Sequence, residues 1–489
     1  MTATIVLDPH PDVPAGTRLK QRAPWLALVA CAYAAIQIAV VVPHTGHALG
    51  WDETVYVSQV DPRTPAAYFS APRSRGISLL TTPIVAVTDS VLVLRVFLVI
   101  LSTAALYSAF RTWRPLLGHA TTALAALLFA GLWTSQLAGS QAMPNLWVAF
   151  GAVSAVGWFL RTTGEARACW WLAAVIITTT LVRLPDAGWL ALPLVITALC
   201  VRARRRAVPF LLGGLALGAT PWIAEAHLRF GGILGRLHRS GRTEGGMSFH
   251  VNIDNAWRSL NGPQLCRPCQ VPLTHPQLTL WWLALPVLSA IALLVAVRVR
   301  RHRPLALTVL PLLCAVALCF PYLFLLTYSA PRFLLPAYAL LSLPLAALAT
   351  RSVSVGRHAG PVTTVIGLVV FLQLAVQASL LPALSVQTAV ASERYEAAAH
   401  ALNSLGLRPP CLITGRYALP VAYDAGCASA ELHGNNRSIT SRSLLHLAGR
   451  EPFAVLVPHG QRQPQYARGW PPHPLPGTRW IAYTPRSAP

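Results

Sequence analysis

Charge is what this sequence has least of. Asp, Glu, Lys and Arg make up only 11% of its 489 residues, against about 25% in ordinary soluble domains. That excludes a soluble enzyme with the usual hydrated surface. Lysine is nearly absent, Lys20 being the only one. Acids are scarce too, 16 against 39 basic residues, for a net charge of +23. In a soluble protein that excess would suggest nucleic acid. Here the arginines cluster between apolar runs, so topology and anionic membrane lipid account for them, and no nucleic-acid partner is expected. Residues 1–22 lack a signal-peptide pattern, so the first apolar run reads as a retained anchor. No repeat of solenoid period occurs. No cysteine spacing supplies a zinc set, and neither metal nor cofactor is expected.

What the chain does have is long apolar runs. It is 54% hydrophobic with a mean hydropathy of +0.51, which reads as an α-helical polytopic membrane protein. Runs of bilayer length fall at 24–43, 90–110, 119–137, 145–160, 169–182, 187–201, 207–226, 278–297, 304–327, 333–350 and 361–382, about eleven spans. Arg111 and Arg114, Arg161 and Arg167, Arg202 to Arg206, Arg298 to Arg303, and Arg351 with Arg357 follow alternate spans. The positive-inside rule then makes 1–23 a cytoplasmic tail and 24–389 the membrane domain of a multi-pass plasma-membrane protein. Large outer loops are expected at 44–89 and 227–277. From 390 to 489 the chain reads as a small extracytoplasmic α/β domain. A helical SERYEAAAHALNSLG is followed by strand-like CLITG, FAVLVP and WIAYTP among Pro/Gly turns.

The polar stretch Pro43–Gly76 interrupts this pattern. It carries adjacent acids, Asp52 and Glu53, between Trp51 and Tyr56. Paired carboxylates beside a membrane cost solvation and repel each other. They are either solvated surface acids with Trp51 as an interfacial anchor, or a functional pair. Ile77–Thr88 is too short to span and reads as an interfacial or re-entrant helix turned at Pro83. The basic residues of 227–277 allow two readings, a translocated loop of no special charge role or a site for a phosphate-bearing lipid head. Four cysteines lie in expected outer segments. Cys411 with Cys427 is a plausible disulfide, and Cys266 with Cys269 a candidate tight one.

An enzyme at the outer face cannot count on cytosolic nucleotide-activated donors. A polyprenyl-phosphate sugar solves this, given one carboxylate as base and cations for the departing phosphate. At this point the sequence resembles the GT-C-fold membrane glycosyltransferases, in the protein O-mannosyltransferase and aminoarabinose-transferase group. The features are Trp51-Asp52-Glu53 after the first span, a short amphipathic helix through Pro83, Arg95 early in the second span, Arg183-Leu-Pro, and Ala330-Pro-Arg332-Phe-Leu-Leu-Pro336. Where that group often has an acid near the fourth span, this chain has amides in Ser140–Asn145.

The resemblance implies an integral-membrane glycosyltransferase. It would move a sugar from a polyprenyl-phosphate donor to an extracytoplasmic hydroxyl on protein, lipid or glycan. Asp52 is the expected base, and Glu53 would position base or acceptor. Arg332, Arg183 and Arg95, in that order, are phosphate candidates, with Trp51 and Tyr56 beside the substrate. Structural roles compete for two of these: Arg95 pairing with an acid such as Asp89, and Arg183 pairing with Asp186. The rival functions are a glycolipid transporter or flippase, a non-catalytic membrane scaffold with an outer binding domain, and a lipid-phosphate-processing enzyme.

Overall fold

The computed structural model describes residues 24–45, 48–262, 273, 275–298, 305–354, 359–434 and 436–485. Among these, seven helices are long and apolar enough to cross a bilayer: Trp25–His44, Val91–Arg111, Arg202–Phe230, Pro276–Arg298, Ala306–Phe324, Pro331–Ser352 and Thr363–Ser404. The protein is a multi-pass membrane protein. Its outward helix faces are apolar, with Val287, Leu294 and Phe371 each at least 60% exposed, as a hydrocarbon solvent requires.

Three of the expected spans differ from simple rods. Run 119–137 is broken into His119–Ala130 and Trp133–Gly139, bent by 79°. Its second half is polar enough to leave the helix axis. Gln136 Nε2 then donates to the carbonyl of Ala130 (2.7 Å), and Tyr33 Oη donates to that of Ser135 (3.0 Å), so the break strands neither group. Runs 169–182 and 187–201 form the shorter helices Arg167–Val182 and Leu184–Cys200. They meet at Arg183, whose backbone is extended. The helix Pro144–Arg161 lies at the centre of the bundle. It is rich in Ala, Gly and Val, and its Phe150 and Phe159 are buried with Phe110, Phe129 and Trp113. Small residues let neighbouring backbones approach where no hydrophobic effect draws helices together.

Arg111, Arg161 and Arg204 gather at one end of the bundle. Arg204 Nη1 donates to the carbonyl of Phe159 (2.6 Å), and Arg161 to that of Thr112 (3.4 Å). Arg95 and Asn145 begin the same helices that Arg111 and Arg161 end. Whatever lies near Arg95 and Asn145 is therefore at the opposite end from the arginines.

The last apolar run does not stop at 382. Helix Ala359–Ser404 is continuous for 46 residues, on the order of 70 Å at 1.5 Å per residue. That is about twice the hydrocarbon thickness. The expected boundary at 390 falls inside it, because nothing between Pro382 and Gly406 breaks the helix. The sheet begins later. Strands β1 (Leu412–Gly415), β2 (Ala428–Ala430), β3 (Phe453–Pro458), β4 (Pro472–Pro474) and β5 (Trp480–Tyr483) lie in the order β2-β1-β3-β5-β4. The first three are mutually parallel, and β5 runs antiparallel to both of its neighbours, β3 and β4. Strands β2 and β4 are short and lack the apolar run that marks the others in sequence. Cys411 and Cys427 are joined in a disulfide. Cys266 and Cys269 lie outside the described residues.

The sheet is seated on the first loop. Ser392 Oγ accepts from Ala48 N (2.8 Å), Asn436 donates to Tyr68 O (2.9 Å), and Tyr423 Oη donates to Asp61 (2.6 Å). Beneath it, Gly76 opens the helix Gly76–Val85 against Leu181 and Val182. A Cβ there would come within 2.6 Å of their backbone. Glycine thus brings this helix onto the segment that carries Arg183. The helix continues through Pro83 to Val85 and is not turned at the proline.

Candidate active site

The short helix Trp51–Val57 sets the site. Both acids lie in its first turn, where unpaired N–H groups favour negative charge. Successive residues on a helix point about 100° apart, and the two carboxylates meet different surroundings.

Glu53 turns inward and is 5% exposed. Arg95, 1% exposed, holds it with both terminal nitrogens, Nη1 on Oε1 and Nη2 on Oε2 (2.9 Å). The amides of Ala142 (2.8 Å) and Gly50 (3.0 Å) also donate to it, and Arg95 Nη1 adds the carbonyl of Ser140 (2.9 Å). Burial pushes this carboxyl up. The Arg95 charge and hydrogen bond and the two amides outweigh that and hold it below the ordinary glutamate range. The expected pairing of Arg95 with Asp89 is not formed. Asp89 precedes the helix that starts at Val91, and a spacing of six residues puts the two side chains on different faces.

Asp52 turns toward a small cavity of about 80 Å³. Arg73 Nη2 donates to Oδ1 (2.7 Å) and Arg332 Nη2 to Oδ2 (2.6 Å), with the Asp52 side chain still 30% exposed. Burial raises its pKa, but the charges of Arg73 and Arg332 prevail, and the carboxyl lies below the usual aspartate value. Arg183 shares the cavity wall. It also pairs with Asp186 (3.1 Å), which accepts from Tyr322 Oη (2.7 Å). Tyr56 lines the wall as well, edge-on to Phe69 and 5.0 Å from the Arg73 guanidinium. Trp51 faces the other way, toward the sheet.

The wall also holds Arg73, Asn145, Glu244 and Tyr328, none of them among the expected site residues, although Asn145 ends the amide segment noted in the sequence. Arg73 lay in plain view in the loop that carries Asp52. It is held by Arg236, a fully buried residue of the basic stretch 227–277. Arg236 donates to the carbonyls of Ala71 (3.0 Å), Trp222 (2.7 Å) and Arg73 (2.9 Å) and pairs with Glu225 (3.0 Å). Arg75 pairs with the same Glu225. Tyr328 Oη donates to Glu244. Asn145 is 1% exposed, and neither its side-chain oxygen nor its nitrogen has a hydrogen-bond partner. A buried amide in that state is poised for something that enters the cavity. Among the described residues, no three His, Cys, Asp or Glu converge as metal ligands.

No protein-family model and no curated protein matches the chain. Its fold has clear counterparts among solved structures. ArnT from Cupriavidus metallidurans, solved bound to undecaprenyl phosphate, superposes with a TM-score of 0.64 at 11% identity, covering 94% of this chain and 97% of that one. The Archaeoglobus fulgidus oligosaccharyltransferase tethered to an acceptor peptide gives 0.53 at 14% identity, over 90% of this chain and 70% of that one. The same enzyme, AglB, with an inhibitory peptide and a dolichol-phosphate, gives 0.52 at 13% identity over 84% and 65%. ArnT is an aminoarabinose transferase, and both neighbours are GT-C glycosyltransferases. The chain therefore has the GT-C fold, carrying a small C-terminal sheet domain.

Proposed function

We propose that this protein is a membrane glycosyltransferase that uses a polyprenyl-phosphate sugar. The observation that carries the reading is Asp52, a partly exposed carboxylate in a cavity whose wall holds Arg73, Arg332 and Arg183. A general base and cations for a leaving phosphate are the two things this transfer needs. The fold supports it, since ArnT was solved with undecaprenyl phosphate and AglB with a dolichol-phosphate.

In this reading the acceptor hydroxyl oxygen attacks the anomeric carbon as the bond from that carbon to the phosphate oxygen breaks. The hydroxyl proton passes to Asp52. The lipid phosphate leaves as an anion and needs no proton of its own. Arg332 and Arg73 hold it, with Arg183 beside them and Asn145 supplying an uncharged donor. Glu53 and Arg95 take no part in the chemistry. They lock the Trp51 helix and so aim Asp52. The arginine-rich end of the bundle is cytoplasmic by the positive-inside rule, which puts the cavity and the sheet domain outside.

The test uses the purified chain in nanodiscs, labelled polyprenyl-phosphate sugars and an envelope extract as acceptor. Asp52→Asn should lower transfer by roughly 10²–10⁴, the usual yield of a positioned base. Arg332→Ala should raise the donor concentration needed for half-maximal rate. Near-normal transfer by folded Asp52→Asn, with loss in Glu244→Gln instead, would move the base to Glu244. Movement of intact glycolipid across liposomes without sugar transfer would replace the enzyme by a transporter.

A further inference from the structure

A second cavity, of about 520 Å³, lies where the sheet domain meets the Trp51 helix. That volume is within the usual range for ligand sites, about 300–1,000 Å³. Its position in the sheet is informative. Gly415 and Pro458, which close β1 and β3, line it, together with Arg416 and Tyr417 after β1, Glu431 directly after β2, and Gln461 and Arg462 beyond β3. These three parallel strands have the order β2-β1-β3, so the chain leaves β1 toward β2 and must then cross to the far side of β1 to form β3. The crevice between the carboxyl ends of β1 and β3 is a topological switch point, the place where open parallel sheets bind ligands. Gly415 closes β1 there with φ +102°, and a Cβ on it would lie 2.3 Å from the carbonyl oxygen of Leu456 in β3. Tyr417, two residues on, is the single non-glycine residue with positive φ among the described residues, at 65°. Backbone strain of this kind concentrates at ligand sites.

The lining has a definite chemistry. Trp51, Tyr417 and Tyr466 supply aromatic rings, and Arg416 and Arg462 supply two exposed guanidiniums. Tyr417 is braced by stacking on Trp480, with ring centres 5.2 Å apart. The one carboxylate, Glu431, is bonded to the Trp51 side chain, and burial pushes it up to about 7. The cleft thus carries more positive than negative charge near neutrality. It opens at the ends of strands and presents no free strand edge, so an extended peptide would find no ladder to join. Flat rings beside guanidiniums suit sugar faces that carry an acidic group.

Trp51 ties this cleft to the chemistry. It lines the cleft, while the next residue, Asp52, lines the other cavity. We propose that the cleft between β1 and β3 is the acceptor subsite and that the acceptor is a glycan bearing an anionic group. The inference rests on the transferase reading for its purpose, but binding can be measured without any donor.

The experiment titrates the full chain in nanodiscs with three probes: a galacturonic acid tetramer, its carboxyl-reduced counterpart, and an acidic peptide of equal charge. Arg416→Ala and Arg462→Ala are the variants, both at exposed positions; Arg416 lies 5.4 Å from the Tyr417 ring centre, while Tyr417 keeps its ring contacts with Trp480 and Tyr395. The acidic tetramer should bind saturably and at least tenfold tighter than the reduced one, and each variant should lose about tenfold, the scale of one charge-assisted contact. Equal binding of the two saccharides, tighter binding of the peptide, unchanged affinity in both variants, or no saturation with any saccharide would each overturn the proposal. A chain that binds the tetramer this way but consumes no polyprenyl-phosphate sugar would keep the site and lose the transferase reading.

Discussion

Removing Arg95 tests the division of labour between the two acids. In Arg95→Met the aliphatic stem is kept and the guanidinium lost. Glu53 then keeps two backbone donors and loses two side-chain hydrogen bonds and its only counter-charge within the site, at 5% exposure. The carbonyl of Ser140 loses its donor as well. Breaking a buried ion pair from one side costs about 3–5 kcal/mol, because the remaining charge is left uncompensated. In a chain of this size that should lower the melting temperature by on the order of 5 °C. The double variant Glu53→Gln/Arg95→Met removes the stranded charge and should recover most of the loss, so the cycle should show strong coupling. The assay is fluorescence-detected thermal unfolding of detergent-solubilised protein, with transfer measured at a temperature where every variant is folded. Under that condition the double variant should retain far more transfer than Asp52→Asn. Wild-type stability in Arg95→Met, or a double variant as inactive as Asp52→Asn, would refute the structural role assigned to this pair.

Two further outcomes follow from charge placement. Asp424 is pushed up to about 8 by burial, with Glu396 adding repulsion, and its Oδ2 has no hydrogen-bond partner. Its folded pKa is above the unfolded value, so the native state binds the extra proton and stability falls as pH rises from about 4 toward 8, by at most about 1.4 kcal/mol per pH unit for one group. Asp424→Asn should flatten the decline in melting temperature across that window, and an unchanged slope would show that other groups set it. For orientation, a reporter active only outside the cytoplasm should respond when fused after residue 389, and one active only inside after Arg206. The opposite result at either site would put Asp52 on the wrong face.

The sequence disclosed more of the architecture than of the site. Each expected apolar run is helical in the structure, and seven helices among the described residues are long and apolar enough to cross a bilayer, or eight with the bent pair, against about eleven expected spans. Apolar run length and arginine spacing could not show the 79° break after Ala130, which depends on side chains such as Gln136 reaching back to freed carbonyls. Nor could they show that the helix from Ala359 runs on to Ser404, since a membrane exit leaves no mark when the sequence stays helix-compatible. The acid pair was visible as a pair, but not which member faces the cavity. That is decided by Arg95, 42 residues along the chain, turning onto Glu53. The contacts of Arg73 and Arg236 were hidden for a related reason. Arg236 carries no sequence sign that it will be buried against three carbonyls from two other segments, or that two of these belong to the loop that carries Arg73.

The pairing of Asp52 with two arginines raises a question of its own, since a carboxylate held below its ordinary pKa is a weak base. The same guanidiniums are the natural holders of the donor phosphate. A phosphate seated between Arg73 and Arg332 would share their charge, add a negative charge near Asp52, and raise the carboxyl's proton affinity. The base would then strengthen only when the donor is in place, which spares the empty site from idle proton chemistry. Coupling of this kind is reciprocal. If donor phosphate makes Asp52 more basic, removing the charge of Asp52 must help the phosphate bind. At a separation of about 6 Å and an effective dielectric of about 20, that repulsion is at most about 3 kcal/mol. Asp52→Asn should therefore bind polyprenyl-phosphate sugar more tightly than the wild type while transferring it far more slowly. Equilibrium binding of the labelled donor to both proteins in nanodiscs reads this directly. Weaker donor binding in Asp52→Asn would mean that Asp52 is needed to hold Arg73 and Arg332 in place, and that its work is to arrange the cations and not to take the proton.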